Sequence, residues 1–303
     1  MNTQSNATPG SFDSPSTSPA VVTQTHPFYW SVRRELWEYR SIYIAPLAAA
    51  GVTLVGYLIA SIGRALSISD PVKRLTVLEE PFNFAMGLIL GTSFIVGIFY
   101  CLDALYGERR DRSILFWKSL PVSDLTTVLS KATVGVVIVP LVGFVVTVVT
   151  QTIMLLVSTV VVRASGLNVA AFSNKVALFQ NSLMLLYHRI AVHILWYAPF
   201  YGWLLLVSAW ARRAPFLWAV LPPFTIGALE KIAFNTTSFV TTLHHRLDGG
   251  ADAVPMTANM PINPMTHVPP GSFPMSPGLW LGLILAGAFL AAAVRLRRYR
   301  DPL

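Results

Sequence analysis

Charged residues are scarce in this chain. They make up 12% of its 303 residues, whereas 54% are hydrophobic, and soluble domains carry roughly 25% charged residues. Only one cysteine is present, Cys101, which excludes an intrachain disulfide and any metal site built from several cysteines. The composition therefore indicates an integral membrane protein without a disulfide framework.

Signatures of common catalytic chemistry are also missing. The sequence contains no G-x-x-x-x-G-K-[ST] loop for ATP phosphates, no H-E-x-x-H zinc motif and no G-x-S-x-G nucleophile motif. No cluster of carboxylates lies in the apolar runs, which argues against a proton-coupled carrier. We therefore expect no catalytic residue and no cofactor bound by this chain, so that the energy for any transport comes from another protein.

Long apolar segments define the fold class. A transmembrane helix needs about 20 apolar residues to cross about 30 Å of hydrocarbon. The sequence predicts an all-α integral membrane protein whose six spans lie within residues 41–300. Pro140 is a candidate kink in the third span, and Pro222-Pro223 should break or kink the fifth. The predicted spans are 41–62, 82–105, 132–162, 190–211, 214–228 and 277–294.

Four segments outside the spans give further expectations. Residues 1–27, rich in Ser, Thr and Pro, predict a disordered cytoplasmic tail. Residues 28–40 predict an amphipathic helix at the membrane interface. Residues 63–81 predict a polar loop, and residues 233–276 an outer loop without helical periodicity. The two faces of the interfacial helix are Tyr29, Val32, Leu36 and Trp37 on the apolar side, and Arg34, Glu35 and Glu38 on the polar side.

The most highly charged segment lies between the second and third predicted spans. Residues 106–124 read YGERRDRSILFWKSLPVSD, in which five consecutive charged residues precede an apolar half. Each Arg or Asp would cost about 2.5–3.5 kcal/mol at the centre of a membrane helix, so the run lies outside the hydrocarbon. The pattern favours a short surface helix, and an ordinary cytoplasmic loop is the alternative. Asp103, just before it, either pairs with an arginine of the run or has no role.

This segment resembles the coupling-helix motif of ABC-2 type transporter permeases, E-[RK]-x-x-[GR]-[ST]-[IL]-x-x-x-x-S-L-P-[VI]-[ST]. Glu108, Arg109, Leu120, Pro121 and Ser123 match it, and Arg112 stands where the family often has Gly. The resemblance implies a type V ABC exporter-like fold, with six transmembrane helices, an N-terminal elbow helix at 28–40 and a cytoplasmic coupling helix at 106–124. It also implies that an ATPase docks on Glu108, Arg109, Arg110, Asp111, Arg112, Trp117, Leu120 and Pro121.

The same resemblance implies partners. Two copies of a separate ABC ATPase would bind ATP and Mg, and a second permease chain, identical or paralogous, would complete the pathway. Motion of the coupling helix would move substrate outward across a bacterial inner membrane. The basic residues flank apolar runs, which is typical of a protein in contact with a lipid bilayer and not of a nucleic-acid-binding protein.

Two other functions remain open from the sequence. One is an ABC-linked membrane subunit that signals or remodels lipid instead of transporting a substrate. The other is a membrane-embedded transferase, which would need His and carboxylate groups converging at one membrane face. His188 and His193 have no evident carboxylate partner in the sequence, which disfavours the transferase.

Two polar groups are candidate substrate sites. Thr147, Thr150 and Gln151 form a patch in the third predicted span, which would either face a transport pathway or make interhelical hydrogen bonds. The outer loop carries thioether and imidazole groups, which suit Cu(I), but their irregular spacing favours a flexible or capping loop without metal. These outer-loop candidates are Met256, Met260, Met265 and His267.

The distribution of basic residues predicts that both termini are cytoplasmic. This topology places 14 of the 22 Lys and Arg residues inside and 8 outside, in line with the positive-inside bias. A periplasm-active phosphatase fused after Asp248 should therefore be active, and one fused after Asp124 inactive. A cytoplasmic signal after Asp248 would overturn the topology.

Overall fold

The computed structural model describes residues 26–67, 71–114, 116, 122–164, 193–247 and 277–299. Within these ranges the backbone forms helices, turns and short connections, and no strand. One segment, Val134–Ile138, is π-helical. The described α-helices are α1 (Pro27–Glu38), α2 (Ser41–Ser67), α3 (Pro71–Ala104), α4 (Tyr106–Arg110), α5 (Asp124–Thr133), α6 (Val139–Ala164), α7 (Ala198–Trp210), α8 (Pro215–Phe234), α9 (Ser238–Leu247) and α10 (Pro277–Tyr299).

In the described ranges, five stretches of helix are long and apolar enough to cross a membrane, as expected for an all-α multi-pass protein. The predicted fourth span contains α7, an apolar helix of 13 residues that follows a helical turn at 193–196, while residues 190–192 lie outside the described ranges. At about 1.5 Å per residue α7 is about 20 Å long. The five stretches are Ser41–Ala60, Phe84–Arg110, Asp124–Val160, Pro215–Phe234 and Pro277–Tyr299.

Within the described residues, the largest buried apolar cluster joins α2, α3, α5, α6, α7, one residue of α8 and the π-helical segment. Tyr201 and Leu205 of α7 are fully buried in it beside Cys101 of α3. The backbone of α10 approaches α7 at Gly202, where an added Cβ would lie 3.3 Å from the carbonyl oxygen of Ala286. By contrast, only Ala219 and Gly227 of α8 are buried. The helices therefore form a packed body, with α8 at its periphery.

Helices extend into segments that the sequence predicted as loops. The predicted polar loop 63–81 is wrong for most of its length, because α2 continues to Ser67 and α3 begins at Pro71. The predicted outer loop 233–276 contains α9, and its residues from 248 onward lie outside the described ranges. Charge determines where a helix leaves hydrocarbon, but it does not end the backbone hydrogen bonding.

The prolines in the spans do not break their helices. Pro222 and Pro223 lie inside α8, which continues to Phe234, so the predicted break is not present. Because Pro223 has no N–H, the carbonyl of Ala219 loses its usual partner four residues on, and the indole Nε1–H of Trp203 donates to it at 3.1 Å. Pro140 is the second residue after the π-helical segment and the second residue of α6, which continues to Ala164.

Close packing of the π-helical segment on α3 gives a stability prediction. A Cβ at Gly135 would lie 2.5 Å from the sulfur of Cys101, so Gly135→Ala should destabilise the protein by about 1–3 kcal/mol. Cys101→Ala should restore part of that loss in the double variant, as measured by the free energy of unfolding in mixed micelles. Gly51→Ala is the control, because nothing lies within 4 Å of its Cβ position. Equal stability of Gly135→Ala and Gly51→Ala would contradict the packing.

Candidate functional site

The charged run after α3 divides into an internal half and an exposed half. Glu108 and Arg109, both in the short helix α4, are 7% and 3% exposed. Arg110, Asp111 and Arg112 are exposed. The predicted docking residues are therefore not one continuous surface, since the first two point into the body of the protein.

Glu108 lies at the centre of a buried ion network. Its carboxylate accepts hydrogen bonds from Arg34 of α1 at 3.1 Å and from Arg297 of α10. The ammonium of Lys131, in α5, lies 3.1 Å from the same carboxylate and is 1% exposed. One side chain of the charged run thus contacts three helices that are distant from it in sequence.

Glu35 forms the second anionic centre of the network. It is fully buried, and its carboxylate accepts from Lys131 at 2.8 Å, from Arg34 at 2.6 Å and from the hydroxyl of Tyr100 at 3.0 Å. Glu35, which the sequence grouped with Arg34 and Glu38 on the polar face of the interfacial helix, is therefore buried in the protein and not exposed to solvent. The carboxylate can lie in the protein interior because Arg34 and Lys131 neutralise its charge. Trp37 of the same helix is exposed instead.

Asp124 completes the ion network, which consists of Arg34, Glu35, Glu108, Asp124, Lys131 and Arg297. Its carboxylate accepts from Nε of Arg297 at 3.0 Å, at the first residue of α5. Burial alone would lower the pKa of Arg34, but the carboxylates of Glu35 and Glu108 raise it overall, so the guanidinium stays charged. These six residues comprise three cations and three anions, and Glu38, which is exposed, lies 4.0 Å from Arg34 at the edge of the network.

Arg109 joins the charged run to α7. One of its guanidinium nitrogens donates to the carbonyls of Ser208 and Ala211 at 2.7 Å each. These carbonyls belong to the end of α7, where the last backbone acceptors of a helix have no partner within it. In return, the hydroxyl of Ser208 accepts from the backbone N–H groups of Leu105 and Tyr106 at 3.0 and 2.9 Å.

The exposed half of the run carries charges of both signs. Arg110 donates to Asp111 at 3.0 Å, and this bond lowers the pKa of the Asp111 carboxyl. Arg110 also lies 3.9 Å from Asp103, so the pairing suggested for Asp103 is present. Arg112 has a φ of 57°, a left-handed conformation that Gly adopts without cost. We call Arg110, Asp111 and Arg112 the exposed edge.

Three of the predicted docking residues, Trp117, Leu120 and Pro121, lie outside the described residues. Phe116, which is described, is 61% exposed and continues the apolar half of the segment at the surface.

The predicted pathway residues are buried between helices of this chain. Thr147, Thr150 and Gln151 are at most 3% exposed. The two threonine hydroxyls donate to carbonyls four residues earlier in α6, those of Gly143 and Val146. Their role in a pathway stays a prediction.

The candidate metal ligands Met256, Met260, Met265 and His267 lie outside the described residues. In the part of the chain that is described, no three His, Cys, Asp or Glu side chains come together to hold a metal ion. His193 instead shares a hydrogen bond of 2.9 Å with the hydroxyl of Tyr201.

Comparison with protein-family models, curated proteins and solved structures finds no match for this chain. The likeness to ABC-2 permeases therefore rests on the residues quoted above.

Sequence reasoning missed most members of the site. Glu35, Lys131, Arg297 and Ser208 are separated by tens of residues or more and belong to no motif. One signal was present for Lys131, which stands next to the long apolar run 132–162. A charge at such a position needs a partner when it is buried.

The ion network predicts a large stability loss when one partner is removed. Lys131→Met should destabilise the protein by roughly 3–5 kcal/mol, because Glu35 and Glu108 would keep buried charge without their shared cation. Chemical unfolding in mixed micelles measures this change. Arg110→Met is the matched control at an exposed position and should leave stability almost unchanged. Similar losses for both variants would contradict the network.

Proposed function

We propose that the chain is the membrane permease subunit of an ATP-driven ABC-2 exporter. In this proposal six spans surround part of a substrate pathway, with α1 as the elbow helix and residues 106–124 as the coupling segment. A separate ABC ATPase, present in two copies, binds ATP and Mg. A second permease chain, identical or paralogous, forms the other half in a bacterial inner membrane, and both termini are cytoplasmic.

One observation carries the proposal: the charged run is firmly tied to several helices at once. Glu108 contacts α1, α5 and α10, and Arg109 holds the end of α7. An ordinary surface loop is mobile and makes few contacts with the helices, so its displacement would not move them. When a bound protein displaces a segment held by these contacts, the helices in contact with it are displaced too, as a coupling element requires.

The exposed edge is the proposed contact with the ATPase. Its arginines and Asp111 alternate in sign, and Asp103 adds a further carboxylate beside Arg110. Anionic lipid headgroups would be repelled by those carboxylates, whereas a protein surface can offer both signs in complementary positions. Phe116 supplies an exposed aromatic side chain from the same segment.

The backbone at Arg112 supports a role for this side chain. A non-glycine residue in the left-handed region costs roughly 1 kcal/mol relative to Gly. Arg112 has this strained backbone conformation although its side chain is exposed. Strained residues of this kind concentrate at functional positions.

Co-purification tests the proposal. The solubilised chain, expressed in its source organism, should co-purify with an ABC ATPase that mass spectrometry identifies. Vanadate should inhibit the ATP hydrolysis of the co-purified sample. Arg110→Glu together with Arg112→Glu should reduce the amount retained by about tenfold, since reversed charges repel a complementary surface. Glu108→Lys is unsuitable as a docking variant, because it would disrupt the ion network itself.

The matched control is Arg295→Glu with Arg298→Glu, which makes the same charge change at exposed positions of α10. It should retain the ATPase. Absence of any ABC ATPase from the unaltered chain would remove the energy source and refute the exporter. Equal retention by both double variants would refute the exposed edge as the docking surface.

A further inference from the structure

Helix α1 has one side packed on the protein and another side exposed. Glu35 is fully buried, and Val32 and Leu36 pack against the largest apolar cluster. Trp30 and Trp37, by contrast, are 55% and 67% exposed. At about 100° per residue these two tryptophans project in nearly the same direction. Their side of the helix is therefore an outer surface that the described residues leave uncovered.

Arg33 lies between the two tryptophans. Its guanidinium carbon is 5.2 Å from the centre of the Trp30 ring and 4.8 Å from the centre of the Trp37 ring, within the range of cation–π contacts. The neighbouring Arg34 has a different role, since it binds two carboxylates of the ion network. Two adjacent arginines thus serve different sides of one helix.

The guanidinium of Arg33 has no anionic partner among the described residues. No carboxylate in those ranges lies within ion-pair distance of it. Glu38, the exposed acid of the same helix, is turned from Arg33 by about 140° and approaches Arg34 instead. Arg40, just beyond the helix, is exposed and adds a second positive charge. The uncovered side of α1 therefore carries positive charge without a compensating acid.

Every polar side-chain group on this surface is a hydrogen-bond donor. A guanidinium has five N–H donors and an indole has one, and neither side chain offers an acceptor. Within the described part of the chain, these N–H groups of Trp30, Arg33 and Trp37 make no hydrogen bond. We call the three residues the donor face. A surface of donors with a positive charge is complementary to an anion that has several acceptor oxygens.

The position of α1 indicates where such an anion comes from. The helix ends at Glu38 and the first span begins at Ser41, so the donor face lies close to the boundary of the hydrocarbon. Tryptophan is enriched at this boundary, and the phosphate diesters of phospholipids lie at the same level. The predicted topology puts α1 at the cytoplasmic leaflet, where anionic lipids give the membrane a negative surface potential.

We propose that the donor face is a binding site for the phosphate group of an anionic membrane phospholipid. The planar guanidinium of Arg33 donates to two phosphate oxygens, as arginine does in bidentate pairs, and Trp30 and Trp37 hold it in position. A choline lipid binds less tightly, because Arg33 repels its quaternary ammonium and already occupies both aromatic rings.

This site goes beyond an interfacial location for α1. Any amphipathic helix with aromatic side chains can lie at the interface, whereas an arginine held between two indoles adds a preference for the charge of the lipid. The inference does not rest on the proposed exporter, since no ATPase takes part in lipid binding.

Native mass spectrometry of the full-length chain in detergent tests the site. Phosphatidylglycerol and phosphatidylcholine with identical acyl chains are titrated separately, and the dissociation constant of the first bound lipid is measured. The unaltered chain should bind phosphatidylglycerol about tenfold more tightly, because only this lipid brings net negative charge to the donor face. Glycerol 3-phosphate at the same concentration should not displace it, because it lacks the acyl chains that place the lipid at the interface.

Two variants distinguish the donor face from general attraction between charges. Arg33→Gln should reduce the preference for phosphatidylglycerol to about threefold or less, since it removes the charge and the planar donor group. Trp30→Leu combined with Trp37→Leu keeps the charge and should weaken phosphatidylglycerol binding by about threefold, since the cation–π contacts and the indole donors are lost. If size-exclusion chromatography shows that Arg33→Gln is not folded, Arg33→Lys takes its place, with an intermediate preference expected.

Arg298→Gln is the matched control. It removes the same charge at another exposed position, where the arginine lies over a single ring, 5.7 Å from the centre of Tyr299. Its preference for phosphatidylglycerol should stay close to that of the unaltered chain.

Three results would overturn the site. The first is an equal loss of preference in Arg298→Gln and Arg33→Gln, which would show that net charge alone attracts the lipid. The second is unchanged binding in folded Arg33→Gln or in the double tryptophan variant. The third is displacement by glycerol 3-phosphate, which would make a soluble phosphate the ligand. None of them alters the co-purification result, so failure of the lipid site is distinct from failure of the proposed exporter.

Discussion

The carboxylate of Glu108 is the contact on which the arrangement of this protein depends. It pairs with Arg34, Lys131 and Arg297, which belong to three different helices. An isolated charge in an apolar interior is very costly, and only a complete set of partners offsets that cost. The first helix, the charged run, the start of the long third span and the end of the last helix must therefore all be in place together.

This requirement explains why a highly polar segment can belong to the body of a membrane protein. Glu35 and Glu108 share one lysine, and Tyr100 donates to a remaining oxygen of Glu35. The polar groups satisfy one another and leave the outer surface of the spans apolar. The neighbouring Arg109 uses a separate set of acceptors at the end of α7, so two adjacent residues tie the segment to different parts of the molecule.

Local sequence patterns predicted the spans better than the site. Apolar runs located the five long spans, because burial in lipid requires a continuous stretch of apolar residues. The same patterns misplaced helix ends, since α3 begins at Pro71 among charged residues. They also placed Glu35 on the polar face of the interfacial helix, but helical periodicity shows which side chains share a side and not which side is buried. Lys131, whose ammonium pairs with Glu35 and allows it to be buried, lies 96 residues further along the chain.

The proline pair in α8 shows the same limit. Its effect could not be read locally, because the donor that compensates for the missing N–H is Trp203 on another helix. A proline therefore need not break a helix where a neighbouring helix places a hydrogen-bond donor within reach of the unpaired carbonyl.

The composition of the ion network has an electrical consequence. Its three cations, Arg34, Lys131 and Arg297, equal in number its three anions, Glu35, Glu108 and Asp124. Moving one elementary charge through the full field of a membrane changes the energy by about 2.3 kcal/mol per 100 mV. A neutral cluster that shifts as a unit does almost no such work. Movement of these six residues as a unit would therefore be almost insensitive to membrane voltage, whereas Glu38, 4.0 Å from Arg34, would add one negative charge if it moved with them.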